Sequence, residues 1–141
     1  MKKTTGELLE LLKRSPNASS YINGASDDLI QPVPLSDYLA RLILERHMKK
    51  SSLIRPSGLD RGYVYDILAG KKNPSRDKVL AICFAFPLSD AETQQLLKAT
   101  GYAPLYARLG RDSVILFALQ HSLSLIEANN LLYDMNYPIL E

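Results

Sequence analysis

Apolar residues along this chain recur three and four positions apart, in stretches separated by Ser, Gly and Pro, which is the rhythm of short amphipathic helices. Leu8, Leu9, Leu11 and Leu12 make the first such face, and Thr4 with Glu7 at capping-box spacing starts a helix that runs to about Arg14. Residues 15–34 are rich in Ser, Asn, Asp and Pro and read as a loop or a short turn of helix. Ser36 is placed to cap a helix through about Met48, with Tyr38, Leu39, Leu42 and Ile43 at helical spacing. Farther along, Ser75 caps a helix to about Phe86, and Ser89 with Glu92 boxes the next, which stops at Gly101. The connection YAPLYARLG leads to helices over about Arg111 to His121 and Ser124 to Met135, the latter opened by a Ser124/Glu127 capping box. Their Ile115, Leu116, Phe117, Leu119, Ile126, Leu131 and Leu132 have to be buried on the rest of the chain or on a second copy. No alternating run is long enough for a sheet, so the fold class is all-α.

Between these elements lies Lys50 to Gly70, KSSLIRPSGLDRGYVYDILAG, whose pattern fits two short helices crossing at a tight turn. With Gly58 as the turn, Leu53, Val64 and Ile67 all point into the angle between the helices, and Leu68 joins them as core. Glycine suits that turn because it adopts positive φ without a Cβ clash. Asp60 is placed to cap the second helix, Arg61 to Ala69, and Gly70 to stop it. Pro56 has no N–H for the carbonyl of Ser52, so the first helix of the pair is expected to be short or kinked.

The tract that follows, GKKNPSRDKVLAICFAF, resembles the segment after the recognition helix in the phage-repressor-like (XRE-type) helix-turn-helix family. Gly70, Lys71, Lys72, Pro74 and Ser75 carry the resemblance, which extends over about residues 35–88; Ile54, Pro56 and Ser57 depart from the family pattern. It implies a five-helix repressor-like domain over 35–101, with an N-terminal helical arm and loop (1–34) and a C-terminal helical pair (102–141) packed on the domain or on a second copy. In such motifs the second helix enters the DNA major groove. Carried over by position, Arg61, Gly62, Tyr65 and Asp66 are the implied base-reading residues. Lys49, Lys50, Tyr63, Lys71, Lys72, Ser75 and Arg76 are the implied phosphate contacts. Arg61 suits guanine O6 and N7, whereas the Asp66 carboxylate helps only by accepting from cytosine N4.

Charge sharpens this picture. The chain carries a net +2, but residues 46–78 hold nine Lys or Arg against three Asp, a balance of +6, which leaves −4 elsewhere. Positive charge gathered on one motif is the footprint of phosphate contact. Other chemistries find no residues here. His47 and His121 lie at no metal-ligand spacing, Gly70-Lys71-Lys72 lacks the rest of a phosphate-binding loop, and no nucleophile, base and orienter assemble, so neither an enzyme nor a cofactor is expected. Asp27-Asp28 reads as a solvated surface pair, and Cys83, the only cysteine, as a buried small hydrophobe. Neither a membrane span nor a signal peptide is apparent after Met1-Lys2-Lys3, which leads to the expectation of a cytoplasmic protein. The expected function is a sequence-specific DNA-binding transcriptional regulator acting on double-stranded DNA as a homodimer. The other reading is a protein-interaction module that has kept the scaffold and lost base readout, docking a partner through Tyr63, Tyr65 and Asp66 or through the C-terminal helices.

Overall fold

A computed structural model describes residues 3–29 and 31–141; Met1 and Lys2, on which part of the leader reading rests, lie outside the described residues. The chain forms two compact units, residues 1–31 and 32–141. All regular structure among the described residues is helical, as the spacing predicts.

The first unit holds α1 (Thr5–Arg14) and α2 (Ala18–Gly24). The capping box forms as expected: Thr4 Oγ1 accepts from Glu7 N at 3.1 Å, and Glu7 Oε1 accepts from Thr4 N at 3.4 Å. The stretch read as a loop or a short turn of helix contains α2, which Asn17 Oδ1 caps by accepting from Ser20 N at 2.8 Å. Asp28 corrects one expectation. Its side chain is buried, accepting from Lys3 N at 2.8 Å and pairing with Lys3 Nζ at 3.4 Å, so the start of the unit is tied to its end. Only Asp27 of that acidic pair is solvated.

The second unit begins with α3 (Leu35–Glu45), for which Pro34, not Ser36, stands at the N-cap, with no side-chain hydrogen bond. Proline at this position starts the helix through its fixed φ, and Ser36 falls inside the first turn. The helix ends short of Met48 because His47 turns to φ 52°. A 3-10 turn, Lys50–Leu53, runs into α4 (Ile54–Ser57), the short helix that Pro56 predicts. Gly58 closes it at φ 67°. Ser57, which departs from the family pattern by being polar, is buried yet satisfied: its Oγ donates to Ile54 O at 3.0 Å and accepts from Leu59 N at 3.3 Å.

Then come α5 (Arg61–Leu68), α6 (Arg76–Ala85), α7 (Asp90–Ala99), α8 (Gly110–Gln120) and α9 (Leu125–Asp134). In α6 every residue from Val79 to Ala85 is buried, which makes it the central helix of the unit. Leu39, Leu53, Val64 and Ile67 share one core with Val114, Ile115, Ala118, Leu125 and Leu132, from the C-terminal pair. Leu125 Cδ2 lies 3.9 Å from the position of a Cβ on Gly58, which puts the start of α9 against the helix-turn-helix turn. The C-terminal pair is thus part of the same globule.

Candidate nucleic-acid interface

The second motif helix is built by local capping. Asp60 Oδ2 accepts from Gly62 N at 3.0 Å and Tyr63 N at 3.4 Å, satisfying two of the donors a helix start leaves free. At its other end Gly70 takes φ 79°, and Lys71 N donates to Asp66 O at 2.8 Å, the pattern of a Schellman stop. A side chain at Gly70 would also crowd Ser36 Oγ, 3.2 Å from where its Cβ would sit.

Between these ends the helix sorts its residues by face. Val64 and Ile67 are fully buried and Leu68 half-buried, while Arg61, Gly62 and Tyr65 are exposed together along one side. Asp66, at the edge of that side, is half-buried. Lys49, Lys50, Lys71, Lys72 and Ser75 are all exposed, and Ser75 Oγ also caps α6. Tyr63 is half-buried, and Lys78 Nζ lies 5.5 Å from its ring centroid, a cation–π arrangement that fixes a positive charge beside the start of α5.

Arg76, one of the implied phosphate contacts, is engaged within the protein. Its Nε donates to Ala103 O at 2.9 Å and its Nη2 to Pro104 O at 3.0 Å. Nη1 and Nη2 meet Asp112 Oδ1 and Oδ2 at 3.1 and 2.9 Å. All of these partners lie within the protein. Arg111 and Asp77 repeat the arrangement in the opposite sense, with both hydrogen bonds at 2.9 Å. Burial raises the Asp112 pKa, but Arg76, the Tyr106 N–H and nearby Arg111 outweigh it and hold the carboxyl below its usual range. The recurrence of Arg-Asp at two predicted helix starts is the sequence signal for this exchange.

Residues 38–91 match the family model of the Cro/C1-type HTH DNA-binding domain, and that stretch is a helix-turn-helix domain of this type. The match runs from α3 into the first turn of α7 and includes the whole of α5. No curated protein and no solved structure matches the chain. Among the described residues no three His, Cys, Asp or Glu cluster as a metal site, and no helix is long and apolar enough to cross a membrane.

Proposed function

We propose that the protein is a sequence-specific DNA-binding transcriptional regulator that reads double-stranded DNA with α5. The observation that carries this reading is the Cro/C1-type match over a helix whose exposed side presents Arg61, Gly62 and Tyr65 while its other side anchors the core. Arg61 pairs with a guanine edge, Gly62 lets the backbone approach the groove floor, and Tyr65 and Asp66 complete the readout. Lys49, Lys50, Tyr63, Lys71, Lys72 and Ser75 contact phosphates and set register without reading sequence. The reading gives the chain no catalytic role and places it where the DNA is, in the cytoplasm.

One such module buries only roughly 600 to 1,000 Å² on DNA, so a second copy on a second half-site supports tight binding. The surface proposed for self-association lies between α8 and α9. There Val114, Leu131 and Tyr137 floor an apolar groove of about 460 Å³, with Phe117 48% and Met135 56% exposed at its edges. Because α8 and α9 share the core, a surface substitution, not truncation, is the probe. Phe117→Asp should convert a sedimenting dimer to monomer; a wild-type monomer that still binds one site tightly contradicts the paired mechanism.

Selection of duplexes from a random pool, followed by a gel shift across salt concentrations, tests the function. A regulator enriches one sequence and loses affinity steeply with salt. Protein that neither enriches a sequence nor binds random duplex supports the interaction-module reading, for which the apolar α8/α9 groove is the docking face.

A further inference from the structure

The segment between α5 and α6 carries Lys71, Lys72 and Ser75, yet it has no helix or strand of its own to hold it. Its middle is fixed from outside the family-matched region. Pro74 is buried, and its carbonyl accepts from Tyr102 Oη at 2.6 Å. Two residues on, Arg76 is held by the carbonyls of Ala103 and Pro104 and by both oxygens of Asp112. The clamp is itself rigid. Gln94 exchanges two hydrogen bonds of 2.7 Å with Leu105, and Tyr106 N donates to Asp112 Oδ2 at 2.9 Å, so the α7–α8 connection is anchored to both neighbouring helices.

We propose that Tyr102 and Asp112 are positioning residues for DNA phosphate contact, holding the 71–75 segment through Pro74 and Arg76 in register with α5. This rests on the DNA-binding reading above. A segment ordered before binding loses less conformational freedom when its lysines meet phosphate, so the clamp raises affinity for every sequence. It also means that Arg76 acts through the fold. Asp112 neutralises it inside the protein, and the positive field offered to DNA from this region comes from Lys71 and Lys72. The Tyr102 hydroxyl also gives the carbonyl of buried Pro74 a hydrogen-bond partner.

The test uses the full chain with Tyr102→Phe and Asp112→Asn, measuring duplex affinity across salt concentrations together with the melting temperature. Tyr102→Phe removes one hydroxyl and keeps the ring, so it decides the matter even if Asp112→Asn unfolds. For Tyr102→Phe, which leaves every charge in place, the expected result is an affinity for random and selected duplexes lower by about threefold to tenfold. The slope of log affinity against log salt should also become shallower by about 0.9, the equivalent of one phosphate contact. A variant that melts lower but, while folded, binds with unchanged affinity and slope shows a merely structural role and overturns the proposal. Wild-type protein with no salt-dependent binding defeats the DNA-binding reading itself, and this inference with it.

Discussion

Arg76 at the first residue of α6 and Asp112 in the first turn of α8 meet through two parallel hydrogen bonds, 3.1 and 2.9 Å long, with the Asp112 side chain 5% exposed. The residues beside them, Asp77 and Arg111, pair in the opposite direction at 2.9 Å. Two Arg-Asp dipeptides therefore exchange partners across adjacent helix starts. Each carboxylate also sits in the first turn of a helix, where the backbone N–H groups favour negative charge. The result joins α6, the central helix, to the C-terminal pair by geometry that one-sided substitution breaks.

Asp112→Asn should lower stability by about 2 to 4 kcal/mol, because it leaves a partly buried guanidinium without its counter-charge. The pH dependence has a definite sign. A carboxyl held below its ordinary value stabilises the fold above about pH 4, and that contribution is lost as pH falls through the folded-state value. Urea midpoints of the wild type should therefore drop more steeply between neutral pH and acid than those of Asp112→Asn. Parallel curves would mean that Asp112 is not a source of the acid sensitivity.

Gly58→Ala isolates the cost of a left-handed turn. With φ at 67° an alanine is strained by about 1 to 2 kcal/mol, while the nearest atom to its Cβ, Leu125 Cδ2, lies at an ordinary 3.9 Å. Denaturant unfolding should show that loss alone. A much larger one would reveal a steric clash with α9 that the geometry does not contain.

Cys83 is fully buried in α6, and burial pushes its thiol up to about 12. Iodoacetamide should leave the native protein unmodified over hours and alkylate it quantitatively in denaturant. Rapid native labelling would show that the central helix opens.

Lys71→Ala with Lys72→Ala should weaken binding to all duplexes and flatten the salt slope, by about 0.9 for each phosphate no longer neutralised. The fold should be untouched, since both side chains are exposed. An unchanged slope removes them from the interface.

What is legible in the sequence is local. The boxes at Thr4/Glu7, Ser89/Glu92 and Ser124/Glu127 form as their spacing predicts, since a cap needs only residues three apart. Gly58, Asp60 and Gly70 announce the turn and both ends of α5 for the same reason. The start of α2 is hidden because Asn17, Ser19 and Ser20 resemble a loop until one of them caps a helix. The cap that Ser36 suggests is occupied by Pro34. Arg76 is a different case: from its position alone an arginine after the recognition helix suggests phosphate, and its partners within the protein lie 27 to 36 residues away. Those distant pairings depend on how α8 packs; the repeated Arg-Asp dipeptide marks the residues involved but does not say which of them meet.

Base reading is proposed for the exposed side of α5, and Arg61 is the residue on which it turns. The direct measurement is the affinity of wild type and Arg61→Ala for a selected duplex and for a random duplex at one salt concentration. The substitution should weaken the selected complex by about 1 to 3 kcal/mol and leave the random complex nearly unchanged. Equal losses on both would make Arg61 a phosphate contact, and no loss on either would remove α5 from the base-reading role.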